Sequence, residues 1–344
     1  MSTTEVVLGA TLTRHTTLMQ VALATTAGDV LARRQRVSAV PLTPATAITV
    51  LGELARDLQH ASRREGIRLV ALTFALEATL DVERGTVVTL PPSGDWNHDA
   101  FTARLTTASE ALLVSMSGEG ALPPPLVRLV TVTDAATSGE ALAGAGRGAA
   151  ASLFLDLSRT VACGVWWGGH LLQRPHLGAL GHLPIPGATE RCACGGIGHL
   201  ETRVSAQALV RRMIGLLVEA PATEAAVMRL TGGRAEALTV TEIWQLACEG
   251  DPIAEALMAG ANAPLAQAIL ASLLLLDVER VILGGSLAYC GVSWRDDVRA
   301  RLASLAPPAR AHEMAERIVL AELGPDVALR GTLALANAAA RGIY

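Results

Sequence analysis

Three short segments that read as strands open the chain: Val6–Leu12, Leu18–Ala24 and Val30–Val37. Ala27-Gly28-Asp29 places a turn signal between the last two, so the pattern predicts an opening strand meander. The period changes after Pro44. Ile48, Leu51, Leu54, Ala55 and Leu58 recur at helical spacing with Arg56, Asp57 and Arg63 on the other side, which predicts a helix able to cover that sheet. Ile67–Phe74 and Val127–Val132 are continuous apolar runs, read as buried strands, and Pro123-Pro124-Pro125 marks a domain junction near Leu126–Thr133.

Beyond that junction the scheme restarts. Ser152–Leu157 and Val161–Trp167 read as strands, with a turn at Gly168-Gly169 and a further strand-like piece before Pro175. Helical spacing covers Ala206–Val218, Val240–Glu249 and Pro252–Leu276, then a buried strand Val278–Leu283 ends in Gly284-Gly285. Helices at Trp294–Leu305 and Leu329–Arg341 follow. Two halves of the same pattern suggest a duplicated α/β fold with ligands in a cleft between lobes. The expected domains are an N-terminal α/β lobe over 1–130, on which a C-terminal helix of 329–344 packs back, and a C-terminal α/β lobe over 131–328.

Composition narrows the function classes. With 344 residues, a two-domain chain is the starting expectation, and with only 3% aromatic residues its core must be built from Ala, Leu and Val. All 28 basic residues are Arg, and the net charge of −4 has no basic stripe to neutralise nucleic-acid phosphates. No nucleic acid is therefore expected as a partner. The N-terminus does not read as a signal peptide, and the longest apolar run, Ala268–Leu276, is far short of the ~20 residues of a membrane span, so a cytoplasmic protein without membrane contact is expected. In a reducing compartment five Cys are poor disulfide material. Cys163, Cys248 and Cys290 read as buried small hydrophobes, whereas Cys192 and Cys194 stand close together and suggest a metal.

His182, Cys192, Cys194 and His199 supply two imidazoles and two thiolates, a set that favours tetrahedral zinc over hard cations. Four protein ligands leave no open position for water, so the zinc would clamp a loop rather than activate a nucleophile. Gly195, Gly196 and Gly198 would let the backbone fold around the ion.

The run Gly181-His182, then Cys192-x-Cys194-Gly-x-x-Gly198-His199-x-Glu201, resembles the zinc signature of the ROK family (repressors, open reading frames and sugar kinases), with His199 where a third Cys usually stands. A weaker likeness runs along nearly the whole chain, through Asp134 after the cleft strand and Val281-Ile282-Leu283-Gly284-Gly285-Ser286. The resemblance implies an α/β, two-lobed actin-like ATPase (ribonuclease H-like) fold with a structural zinc loop. It also implies a carboxylate at Asp134 that takes the proton of an attacking sugar hydroxyl, an adenosine-side Gly pair at Gly284 and Gly285, and a homo-oligomer, dimer or tetramer. The residues themselves leave two readings of Asp134 open, general base or N-cap of the segment starting near Ala135. Gly284-Gly285 is equally what a tight strand-to-helix turn needs.

The departures are as informative. The family's Asp-x-Gly-Gly-Thr phosphate turn falls on Thr13-Arg14-His15-Thr16-Thr17 or, in a second register, on Val7-Leu8-Gly9-Ala10-Thr11, and neither carries a carboxylate. The second phosphate loop, Gly-Thr-Gly-Ile-Gly in the family, falls on Ser158-Arg159-Thr160-Val161-Ala162. On the sugar side Thr133, Ala136 and Ala179 replace the usual Asn, Asn and Glu. Trp96, Trp166 and Trp167 could stack on a sugar ring, and core filling is the preferred reading. The losses point to a sugar-kinase-like pseudokinase that binds a small sugar-like ligand or a partner, with ordinary ATP and magnesium binding abandoned or remodelled. The alternative is an active, glucokinase-like carbohydrate or aminosugar kinase using Asp134 as base and Arg14 or Arg159 against phosphate charge. A repressor needs a helix-turn-helix ahead of the first strand, and about five residues precede Val6, so that class is not expected.

Overall fold

The computed structural model describes residues 4–13, 17–62, 66–81, 83–89, 96, 99–117, 123–173 and 177–343. In chain order the first elements are β1 (Thr4–Thr13), β2 (Leu18–Thr25), β3 (Val30–Val37), α1 (Pro44–Ser62), β4 (Ile67–Leu76), β5 (Thr79–Asp81), β6 (Thr86–Thr89), α2 (Phe101–Ser117), β7 (Leu126–Thr131) and α3 (Val132–Ala143). There follow β8 (Ala151–Leu157), β9 (Val161–Trp167), β10 (His170–Leu172), α4 (Glu201–Val204), α5 (Ala206–Leu217), α6 (Pro221–Leu230), α7 (Val240–Cys248) and α8 (Pro252–Leu276). The last are β11 (Arg280–Gly284), α9 (Gly291–Leu305), α10 (Ala311–Glu316), β12 (Ile318–Leu320) and α11 (Val327–Ala340).

Two compact units are formed. The first comprises Met1–Gly144, His170–Pro175 and Pro325–Tyr344, the second Ala145–Gly169 and His176–Gly324. Within the first unit the strand order is β3-β2-β1-β4-β7, with β1–β2 and β2–β3 antiparallel and β1–β4 and β4–β7 parallel. The period of two sorts β1: Val6, Leu8, Ala10 and Leu12 join α1 and α2 in one core, while Val7 joins Leu329, Leu333 and Ala336 of α11 in another. Gly9 lies on that second face, and a Cβ there would stand 2.5 Å from Thr332 Oγ1, so the missing side chain is what lets α11 approach the sheet.

The first unit runs on to Gly144, past the 126–133 junction expected from the proline run. The reason is the contact between α3 and α11. A Cβ on Gly139 would lie 2.7 Å from the Val327 carbonyl oxygen, and one on Gly331 would run into the Ala135 carbonyl. Two small-residue faces thus bring the helix backbones together, and α3 is tied to this unit by packing that the proline run does not report.

In the second unit β9-β8-β11-β12 repeats the scheme of β2-β1-β4-β7, an antiparallel pair followed by parallel neighbours. Its core joins Leu153, Leu155 and Leu157 to α5, α7, α8 and α9. Helix α8 starts on Pro252 behind Asp251, whose carboxylate accepts from the Ile253 and Ala254 amides at 3.0 and 2.9 Å, and it ends where Asp277 turns left-handed at φ 46°. Among the described helices it alone is long and apolar enough to cross a membrane, and its Leu257, Leu265, Ile269 and Leu273 lie in the second core. Trp294, 0% exposed, donates to Asn262 Oδ1 at 3.0 Å, and Asn262 in turn donates to Asp297 at 2.8 Å. Asp297, itself half-buried, completes a polar chain that starts at the buried Trp294 indole.

Helices α2, α4, α6 and α10 were not expected from the pattern. Of the three cysteines read as buried hydrophobes, Cys290 is buried, Cys163 is half-buried and Cys248 is exposed at the end of α7. Trp96 is buried with its indole donating to Leu42 O at 2.9 Å, so it fills the first core. Trp166 is buried and Trp167 exposed.

Candidate functional site

The four expected metal-binding residues converge in the second unit. His182 ends a single 3-10 turn, Ala179–His182, in which Gly181 presses on the Val161 carbonyl and leaves no room for a Cβ. The chain then doubles back as a hairpin-like loop: the Ile185 amide donates to Gly198 O at 2.7 Å, Gly198 to Glu190 O at 2.9 Å, and Cys192 to Gly196 O at 2.8 Å. Gly198 sits at φ +70°, with a would-be Cβ 2.5 Å from Ala188 O, and only glycine suits it. The fold thereby returns His199 beside Cys194, with Sγ–Nδ1 3.2 Å, and Cys192 beside His182, with Sγ–Nδ1 3.7 Å.

One donor atom from each of His182, Cys192, Cys194 and His199 lies within 4.8 Å of the other three. Donors held at about 2.0–2.3 Å around a tetrahedral ion stand roughly 3.3–3.8 Å apart, so an ion fits after the widest pair closes by about an ångström. The cluster can hold a metal ion, and its two sulfurs and two imidazole nitrogens suit a borderline-soft one. Burial, more than any other influence, pushes the Cys192 thiol up to about 11, so a metal must displace its proton on binding. Glu201, the last residue of the signature, ties the loop to the sheet: its carboxylate accepts from Cys192 Sγ at 3.6 Å and from the Val161 amide at 3.2 Å.

Asp134 belongs to the first unit and is not an N-cap. Helix α3 starts two residues earlier than Asp134, and Thr131 caps it by accepting from the Asp134 amide at 2.9 Å. The Asp134 carboxyl, on a half-buried residue in the first helical turn, is hydrogen-bonded by the backbone and side chain of Thr131 and accepts from Gln173 Nε2 at 3.5 Å. Gln173 Oε1 accepts from Arg128 at 3.3 Å, which fixes the amide's orientation because a guanidinium only donates. Burial raises the Asp134 carboxyl above its ordinary 3.8, against the lowering pull of Thr131, Gln173 and Arg128. Gln173 lies 39 residues from Asp134 and 45 from Arg128 in sequence, and no motif announces it.

The phosphate-turn registers fare differently. Arg14 and His15 lie outside the described residues. Val7–Thr11, the other register, is the middle of β1, where the strand is paired with β2 on one edge and β4 on the other. A strand whose backbone is paired on both edges offers phosphate no N–H groups. The second loop, 158–162, is the turn from β8 into β9. Ser158 Oγ donates to Asp156 at 2.6 Å and accepts the Ser286 amide at 3.2 Å. Gly285, at φ +76°, is packed so tightly against this turn that a Cβ would lie 2.5 Å from both Asp156 Oδ1 and Ser158 Oγ. Beside Ser158 and Ser286 opens a cavity of about 590 Å3, whose walls include Arg159, Arg211 and Leu238. Arg211 was not picked out from the sequence, although Gln207, Val210, Arg211 and Ile214 recur on one face of α5.

The model of the ROK family matches residues 15–339. The chain belongs to the ROK family. It is 26% identical over 233 residues to the DNA-binding transcriptional repressor Mlc of Escherichia coli (strain K12), a match covering 67% of this chain and 52% of that protein. This chain thus spans about half the length of the curated relative it matches. In structure it is similar to a ROK family transcriptional regulator, a homolog of the E. coli MLC protein, with a TM-score of 0.78 at 19% identity over 98% of this chain and 79% of that one. It is also similar to a ROK family glucokinase from Streptomyces griseus in complex with glucose and AMPPNP, with a TM-score of 0.70 at 20% identity over 96% and 98% of the two chains. The ROK chain accordingly has the α/β, actin-like ATPase fold of the sugar kinases. The expectation of no nucleic-acid partner is not supported, because the named relative is a DNA-binding repressor.

Proposed function

We propose that this ROK chain is a pseudokinase-like sensor that binds a small sugar-like ligand and does not transfer phosphate efficiently, its second unit clamped by a structural zinc ion at His182, Cys192, Cys194 and His199. The observation that carries the reading is the turn at Ser158. In place of glycines whose amides would face phosphate, a serine hydroxyl occupies the Ser286 amide and meets Asp156. Recruiting that amide for phosphate would first break these bonds, and the described first-loop register lies inside a fully paired strand. Asp134, whose carboxyl accepts from Gln173, is the group that would accept a ligand hydroxyl in this reading. A carboxylate that binds a sugar hydroxyl needs no phosphate loop to do so. The likeness to a DNA-binding transcriptional repressor supports a regulatory rather than a metabolic role, and the two thiols agree with a reducing, cytoplasmic setting.

The test is a thermal-shift screen of monosaccharides, aminosugars and ATP with magnesium, coupled to a phosphotransfer assay. Stabilisation by a sugar with no product is the expected outcome. Turnover at an enzyme-like rate that Asp134→Asn abolishes would sink the reading and favour the second one, an active sugar kinase. The cavity beside Gly285, large enough for a nucleotide and carrying Arg159, is what favours that alternative. Equimolar zinc in metal analysis, lost in His199→Ala, is expected for the clamp.

A further inference from the structure

Helix α8 keeps one side out of the core. Although it has the length and apolarity of a membrane span, only 44% of its most apolar window is buried. Leu257, Leu265, Ile269 and Leu273 lie in the second core. Ala256, Gly260, Ala263, Gln267, Ala271 and Leu274 fall on the other side, within an arc of roughly 100° at 3.6 residues per turn, and each is exposed or half-buried. A solvated helix face ordinarily carries charge. From Ala256 to Leu276 this helix carries none, and Gln267 is the one polar residue on the exposed side. Leu274 is 61% and Leu275 82% exposed.

The face is also graded in size. Its first half is small, with Ala256, Gly260 and Ala263, and its second half is large, with Leu270, Leu274 and Leu275. Nothing lies within 4 Å of a Cβ built on Gly260, so a hollow stands open there. A twofold axis at Gln267 relating two antiparallel copies sets Leu274 of each over Gly260 of the other and Ala271 over Ala263, so that large side chains enter hollows. A parallel pairing would stack leucine on leucine and leave the small residues facing one another across a gap. At the axis the two Gln267 amides meet, and each can donate to the other's oxygen. The axis brings Glu255 toward Asp277 of the other copy, whose charge is already matched by Arg317 at 2.7 Å.

We propose that the uncharged face of α8 is a self-complementary docking surface for a second copy of this chain, antiparallel and centred on Gln267. This goes beyond the proposed function and does not depend on it. Charge argues against lipid as the occupant: α8 starts behind Asp251, has Glu255 in its first turn, ends at Asp277, and holds no basic residue to meet anionic headgroups. Ala256 to Leu275 spans about 30 Å on a helix about 10 Å wide, a footprint of roughly 300 Å2 per copy. An interface of that size is at the small end of the specific ones, so the association is reversible, with a dissociation constant in the micromolar range.

Sedimentation equilibrium of the whole chain from about 1 to 200 µM tests it. A concentration-dependent dimerisation step is expected. Leu274→Glu and Gly260→Arg both change solvent-facing positions, and each should raise the dissociation constant of that step about tenfold or more. The double variant Gly260→Arg/Leu274→Glu places an arginine opposite a glutamate twice across the axis, so it should recover most of the lost affinity and lose it again in high salt. A chain that stays monomeric at the highest concentration would overturn the proposal, as would association that Leu274→Glu leaves unchanged. Loss of association in both single variants with no recovery in the double variant would overturn the antiparallel register. Flotation of the monomer with phosphatidylcholine or phosphatidylglycerol vesicles, abolished by Leu274→Glu, would assign the face to lipid instead.

Discussion

Gly139 offers a sharp quantitative check on the first unit, because the same chemical change has opposite consequences at two helical glycines. An Ala Cβ at 139 would lie 2.7 Å from the Val327 carbonyl oxygen and 3.2 Å from the Gly331 amide nitrogen. Ordinary contact needs about 3.4 Å, so α3 and α11 must part by roughly 0.7 Å, and backbone atoms cannot rotate away as a side chain would. Overpacking of this kind costs about 3 kcal/mol. The better helix propensity of Ala returns about 1 kcal/mol, which leaves a net destabilisation of about 2 kcal/mol. At Gly215 in α5 nothing lies within 4 Å of the same Cβ, so only the propensity term acts and the variant should gain about 0.5–1 kcal/mol. Followed by circular dichroism, Gly139→Ala should melt roughly 4–8 °C lower and Gly215→Ala roughly 1–4 °C higher than the parent. If Gly139→Ala melts at or above the parent, the close helix contact that joins α3 to α11 is wrong.

The remaining predictions concern the site and the core. Gly196→Ala should lower bound metal as measured by atomic spectroscopy, since its Cβ would run into the His199 ring; unchanged stoichiometry would contradict the loop geometry. For Asp134 the folded carboxyl is raised above the ordinary 3.8, so its favourable contribution is complete below that value and is lost as pH rises through the folded value. Asp134→Asn should therefore be more stable than the parent at pH 7, with the difference shrinking as pH falls toward 3.8, and a pH-independent difference would count against the raised value. Asn262→Leu strands the Trp294 indole N–H and one lone pair of Asp297, and should cost about 2–3 kcal/mol in urea unfolding; a loss below about 0.5 kcal/mol would mean the chain is solvated.

What was legible in the sequence is what the chain encodes locally. The alternation in Val6–Leu12, the helical spacing after Pro44 and the Gly-Gly stop after β11 each depend on neighbours within a few residues, and the matching elements form where those patterns lie. The metal quartet was legible for the same reason, since all four side chains come from one loop and its glycines mark where the backbone must turn. Tertiary structure alone decided the rest. Asp134 reads equally as N-cap or general base until β7 is seen to end at Thr131, which takes the N-cap position. Gln173, Arg128 and Arg211 acquire meaning only when residues 39–45 positions apart, or on different elements, are brought within hydrogen-bond reach or around one cavity. Gly139 and Gly331 are ordinary helix residues in sequence and contact points in space. Local propensity is written in short-range periodicity, whereas close approach, burial and charge pairing depend on which distant segments share a surface, and that is settled only when the chain packs.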